Sequence, residues 1–192
     1  MRESAVERTS YADYLALEGP EVPRYEFLDG VVRAMSGGTL EHARLAAKLM
    51  EMIGVALAGR PCAVFSPDPK IRVDETNRTT YADLFVVCGQ IERSNVDAEA
   101  VVNPRVIVEV LSPSTEAYDR GEKSRHYRLL RSLREYVLVS QDEPLVEVWR
   151  RDGDGWRLSE RGAGQMLRLD SLDVELSIDE LYANPLAAPA SS

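Results

Sequence analysis

The sequence predicts an α/β (α+β) fold: a central mixed β-sheet flanked by helices, with an extra C-terminal β-hairpin. Three observations predict it. A long amphipathic segment precedes several short β-branched runs, and a second helical segment follows them. A strand–helix–strand step over 105–141 calls for a parallel pair joined by a right-handed crossover. The remaining β segments are separated by short turns, so their pairing is antiparallel and the sheet is mixed.

In chain order, Thr9-Ser10 is placed to cap a short helix ending near Leu17. A strand over 24–28, the turn Asp29-Gly30 and a return strand over 31–35 form a hairpin. Ser36-Gly37-Gly38-Thr39 breaks the chain before a helix over about 40–58. Its apolar stripe is His42, Leu45, Ala46, Leu49, Ile53, Ala56 and Leu57, and Gly59-Arg60-Pro61 stops it. Strands follow over 62–66, 70–73 and 80–88, then a polar loop to Asn103-Pro104 and a strand over 105–111. A second helix is expected over 118–131, and a strand over 135–141. A hairpin over 145–151 and 156–160 turns on Asp152-Gly153-Asp154-Gly155. Later β segments lie near 166–169 and 172–176, and Ser177 caps a final turn.

The length of 192 residues, 44% hydrophobic and 29% charged, suits one domain over 1–184, with 185–192 a flexible tail. No apolar run approaches the roughly 20 residues that span a bilayer, and the polar N-terminus lacks the apolar core of a secretory signal. The reading is therefore a cytoplasmic protein with no membrane partner. Cys62 and Cys88 stand apart, without a CxxC neighbour. They are expected to be reduced and buried, and no zinc site is expected. A net charge of −9 argues against tight, non-specific duplex binding, which draws its affinity from basic stripes. It leaves room for a metal nuclease, whose carboxylates add to the negative total while the ion reverses their local field.

Two apolar runs contain an anomaly. In Tyr81-Ala82-Asp83-Leu84-Phe85-Val86-Val87-Cys88, Asp83 shares a face with Tyr81, Phe85 and Val87 by the two-residue period. In Val106-Ile107-Val108-Glu109-Val110-Leu111, Glu109 is surrounded by aliphatic residues, the pattern of a central strand buried on both sides. A buried carboxylate needs compensation, from a salt bridge or from a cation shared between the two. On the second helix Lys123, His126, Tyr127, Leu130 and Leu133 share one face. Lys123 there can reach the carboxylates as a catalytic group, serve as a plain counter-ion for Glu109, or snorkel.

The stretches Tyr25-Glu26-Phe27-Leu28-Asp29-Gly30, Tyr81-Ala82-Asp83, Val108-Glu109-Val110-Leu111-Ser112-Pro113-Ser114 and Asp119-Arg120-Gly121-Glu122-Lys123 resemble the Uma-two family. That family has the PD-(D/E)XK restriction-endonuclease-like fold, and the resemblance runs from about residue 10 to 181. It implies a Mg²⁺- or Mn²⁺-dependent endonuclease acting on nucleic acid, DNA above all. Asp83 and Glu109 would hold the ion, with the Val110 carbonyl as a further ligand and Lys123 supplying the motif's lysine. Two departures are visible. Ala82 stands where a proline is usual, and Leu111 takes the place of the lysine two residues after the acid. The lysine must then come from the helix.

Glu26 either completes the carboxylate cluster or pairs with Arg24 on its strand. His42 and Tyr127 are second-rank site residues, and a lone histidine on an apolar stripe such as His42 is more often a satisfied core histidine. Gly37-Gly38 before a helix is a plain loop or a phosphate cradle. Arg120, Arg125, Arg128, Arg131 and Arg134 offer a local positive surface for a phosphate backbone, or solvate an exposed face. A homodimer through Val146, Val148, Trp149 and Trp156 of the hairpin fits either an enzyme or a non-catalytic binding module of the same fold.

Overall fold

The computed structural model describes residues 8–17, 19, 23–35 and 37–186. The opening residues 1–7, Ser36 of the expected break and 187–192 of the expected tail lie outside them.

Helix α1, Tyr11–Ala16, is capped by the Ser10 hydroxyl, which accepts from the Asp13 amide. The hairpin β1 (Tyr25–Leu28) and β2 (Val31–Ala34) turns through Asp29 and Gly30, both with positive φ. Helix α2, Leu40–Ala56, starts at the Thr39 cap and buries Leu45, Leu49, Met52 and Ile53 at helical spacing. Strands β3 (Cys62–Phe65) and β4 (Lys70–Val73) follow. The expected strand over 80–88 is two strands, β5 (Arg78–Thr80) and β6 (Leu84–Cys88), with Asp83 in the gap. Ala82 and Phe85, three apart, both join the same core, so the two-residue alternation fails between them.

The loop before β8 contains a short strand, β7 (Ala100–Val101), parallel to β4. Strand β8 is Val106–Val110, buried throughout. The second helical segment is α3 (Glu116–Tyr118), a π-helical turn (Asp119–Lys123) and α4 (Ser124–Tyr127). It ends four residues earlier than periodicity suggests, so Arg131 and Arg134 lie beyond it. Strand β9 (Glu135–Val139) pairs parallel with β8, completing the crossover. The hairpin β10 (Leu145–Asp152) and β11 (Gly155–Gly162) follows, then β12 (Met166–Leu169), β13 (Val174–Ser177) and α5 (Ile178–Tyr182) capped by Ser177.

These strands form two main sheets rather than one. The central mixed sheet has the order β11-β10-β9-β8-β6-β3, and a second has the order β2-β1-β5-β4-β7. Alternation along β8 divides the core. Val106, Val108 and Val110 face α2, β13 and α5, whereas Ile107 and Leu111 face Tyr127, Leu133 and the second sheet. Glu109 falls on the second face, between the sheets.

Cys62 and Cys88 are not reduced: they form a disulfide. Antiparallel pairing of β3 with β6 sets them directly opposite one another, a register that two isolated cysteines do not reveal in sequence. Of the hairpin residues that suggest self-association, the two valines lie in the core and the two tryptophans are partly buried. Val146 and Val148 are fully buried, and Trp149 and Trp156 lie under the guanidiniums of Arg128 and Arg151. Among the described residues, no helix is long and apolar enough to cross a membrane.

Candidate active site

The β6–β8 pairing matches Leu84 with Val108; extending that register sets Asp83 across from Glu109. One carboxylate therefore leaves a strand start and the other a buried strand interior, side by side. A cavity of about 410 Å³ opens over them. Asp83, Glu109, Val110, Lys123, Glu26 and His42 all line it. The sequence-predicted residues converge, even though they come from β1, α2, β8 and the helical segment.

Asp83 Oδ2 accepts the Val110 amide at 2.7 Å and lies 3.1 Å from His42 Nε2. His42 is thus not a core histidine. Hydrogen bonding to Asp83 pushes its imidazole above the ordinary range, against the opposing pull of burial. The Val110 carbonyl takes part in the same contact. Gly38 makes room for the ring: a Cβ there would sit 2.8 Å from His42 Nδ1. That close approach is what Gly38 provides, whereas a Cβ at Gly37 would meet open space.

The Lys123 ammonium lies 2.8 Å from Glu109 Oε1, 3.5 Å from Asp119 Oδ1 and 3.9 Å from Glu26 Oε1. The π-helical turn, a rare widening that concentrates at functional sites, carries Asp119 and Lys123 at its two ends. Burial by itself would depress the lysine, but the surrounding acids, Glu109 first, hold it well above its usual value. Glu109 moves the other way from most paired acids. Burial pushes it well above the carboxylate range, Asp119 and Asp83 add to that, and Lys123 only partly offsets it. Its Oε1 is buried and accepts no well-directed hydrogen bond, the ammonium standing close but off line.

Glu26 is buried and sits beside Lys123 and Tyr118, while Arg24 instead bonds the Pro67 carbonyl and Asp68. Tyr127 lies beneath the cavity. Its ring is 5.8 Å from the Lys123 ammonium and its hydroxyl accepts from Thr80. The arginines do not form one surface. Arg120 is held by Glu116 and Glu147, Arg128 stacks 4.1 Å over Trp149, and Arg125 is exposed by itself. Asp119 and Tyr118 belong to the site as well. The i, i+4 spacing of Asp119 and Lys123 was the signal that could have found the former.

A divalent ion fits part of this donor set. Glu109 Oε1 is a buried acceptor with the Lys123 ammonium 2.8 Å away but off line, and Asp83 Oδ1 carries no hydrogen bond among the described residues. Among those residues no three His, Cys, Asp or Glu side chains are grouped closely enough to hold an ion alone. Two carboxylates and a carbonyl suit Mg²⁺ or Mn²⁺, which keep water and substrate oxygens as ligands, rather than a closed tetrahedral site.

Comparison with known proteins agrees with this architecture. An "Uncharacterized protein slr1290" of Synechocystis sp. is 32% identical over 91% of this chain and 92% of its own length. A second Synechocystis protein, sll1609, is 30% identical over 78% of this chain and 85% of its own. The crystal structure of a "putative nuclease belonging to DUF820" from Anabaena variabilis superposes with a TM-score of 0.72 at 18% identity. It covers 89% of this chain and 96% of that one, and so shares the fold. Residues 11–181 match the family described as "Putative restriction endonuclease", and the chain belongs to this Uma2 (Uma-two) family.

Proposed function

We propose that the protein is a metal-dependent endonuclease that hydrolyses phosphodiester bonds in nucleic acid, DNA being the substrate class tested first. The observation that carries this reading is the buried, hydrogen-bond-poor Glu109 beside Asp83 and Lys123 in one open cavity. Asp83, Glu109 and the Val110 carbonyl are the residues that would hold Mg²⁺ or Mn²⁺. Such an ion, when bound, polarises a phosphate oxygen and makes water more acidic.

The chain's own groups do the rest. Lys123 stays protonated among its acids and presents a fixed positive charge where negative charge develops on phosphate. Glu109, Asp119 and Glu26 hold that ammonium in place. The Val110 amide and His42 fix the Asp83 carboxylate through one oxygen, leaving the other for an ion. Most of the rate then comes from positioning and electrostatics.

The net charge of −9 favours a second reading, a non-catalytic binding or regulatory module of the same fold. Calorimetric titration of Mg²⁺ and Mn²⁺ separates the two. Saturable binding, lost in both Asp83→Asn and Glu109→Gln and followed by cleavage of DNA or RNA, supports the enzyme. No binding to the wild type at millimolar ion turns the reading to the module.

A further inference from the structure

At the other end of the β8–β9 pair, roughly 13 Å along the strand from Glu109, a second cavity of about 540 Å³ opens. Arg105, Arg131 and Arg134 line it. The backbone carrying them is pinned. The Arg105 amide donates to the Val86 carbonyl at 2.7 Å, and the Arg134 amide donates to the Arg105 carbonyl at 2.8 Å. The Ser132 hydroxyl donates to the Pro104 carbonyl at 2.9 Å, tying the two segments together. From β10, the Arg151 guanidinium donates to the carbonyls of Arg128, Leu130 and Leu133 at 3.0, 2.9 and 2.8 Å, which fixes the turn after α4.

The three guanidiniums themselves are unspent. Among the described residues none of them makes a side-chain hydrogen bond or ion pair, and Arg105 Nε is buried without a partner. Arg72 also borders the cavity but is committed to Asp74, Thr79 and Asn77. Glu75 and Glu92 stand on the lining without pairing to any of the three. In a chain with 32 acids and 23 lysines and arginines, three unpaired guanidiniums converge on one cavity, and the carboxylates that share its lining form no ion pair with them.

We infer that this cavity binds a phosphoryl-bearing anion. Planar guanidinium forks match the several oxygens of a phosphoryl group, and the pinned turn pre-organises them. The site is separate from the carboxylate cleft and does not depend on the function proposed there. Its ligand is either a free phosphoryl compound or the phosphates of a nucleic-acid strand.

The test is calorimetric titration of inorganic pyrophosphate into the full chain, with Arg105→Gln, Arg131→Gln and Arg134→Gln beside the wild type. The expected result is saturable binding, weakened about tenfold for each guanidinium removed and further by added salt. Arg131 and Arg134 are exposed, so their variants test the site even if Arg105→Gln fails to fold. Asp83→Asn and, on α2, Lys48→Gln should bind as the wild type does. Competition by a single-stranded oligonucleotide assigns the site to strand phosphates, and lack of competition assigns it to a free ligand. Absence of saturable pyrophosphate binding, or binding unchanged in all three variants, overturns the proposal.

Discussion

The molecule contains two buried lysine–carboxylate pairs that match in separation and differ in everything around it. Lys70 and Asp97 are 2.8 Å apart with side chains 7% and 4% exposed; Lys123 and Glu109 show the same distance and the same exposures. Asp97 is saturated. It accepts the Tyr11 hydroxyl at 2.7 Å and the Glu99 amide at 3.0 Å, and although burial opposes it, Lys70 and these bonds hold the carboxyl below its usual range. Glu109 lacks such donors, faces two further acids, and is driven upward. A buried ion pair by itself therefore says little about role. Unmet acceptor capacity is what separates the pair that docks α1 on the second sheet from the pair proposed to receive a ligand.

The largest effect that tests this contrast is on turnover. Asp83→Asn and Glu109→Gln should each lower cleavage by about a thousandfold or more, with metal binding lost in calorimetry. Glu109→Gln should not lower the melting temperature, since burial already drives this carboxyl toward the neutral form that glutamine mimics. The mirror substitution Asp97→Asn should leave cleavage intact and cost about 3 kcal/mol in chemical denaturation, because it breaks a buried ion pair with Lys70. A reversed pattern would break the comparison.

The lysines sharpen it next. Lys123→Met should reduce turnover by about a hundredfold. It should destabilise less than Lys70→Met, because burial drives Glu109 toward its neutral form whereas Asp97 is held toward its charged one. Urea midpoints of the two variants decide this.

The pH dependence of stability should have opposite signs at the two sites. Asp97 has a folded value below its unfolded one, so its contribution is full above the ordinary aspartate range and fades as pH falls through the folded value. Wild type and Asp97→Asn should therefore converge in acid. Glu109 has a raised folded value, so it costs nothing in acid and increasingly opposes folding as pH rises above the ordinary glutamate range. Glu109→Gln should match the wild type in acid and exceed it at neutral pH. Denaturation series at several pH values would show whether the signs differ.

The smallest effect concerns His42. Gly38→Ala should push the imidazole off Asp83 and weaken metal binding about tenfold or less. Its NMR titration should move back toward an ordinary histidine; an unmoved titration would mean that the loop absorbs the methyl group.

Much of the fold was legible because apolar period and turn residues act locally. The β8 run, the α2 stripe, the Ser10 and Ser177 caps and the parallel 105–141 crossover can all be read along the chain. The candidate site was legible for a related reason: Asp83 and Glu109 interrupt runs that otherwise contain only apolar residues. What stayed hidden depends on distant pairing. The two-residue strand β7, the division into two sheets and the Cys62–Cys88 bond need a register across tens of residues. The π-helical turn was hidden because its residues read as ordinary helix. The arginines were misplaced because Arg131 and Arg134 follow a helix that stops at Tyr127, where Arg151 captures the carbonyls of the turn.

The bond between Cys62 and Cys88 has a topological consequence. The cysteines are 26 positions apart, and the covalent ring they close contains β4, β5 and Asp83. The chain's excursion from the central sheet to the second sheet and back is thus locked into a loop. A protease that nicks the chain between Val73 and Arg78 would leave two fragments running as one band until a reductant is added. On reduction they would part, and Asp83 would be carried by a different fragment from Arg72.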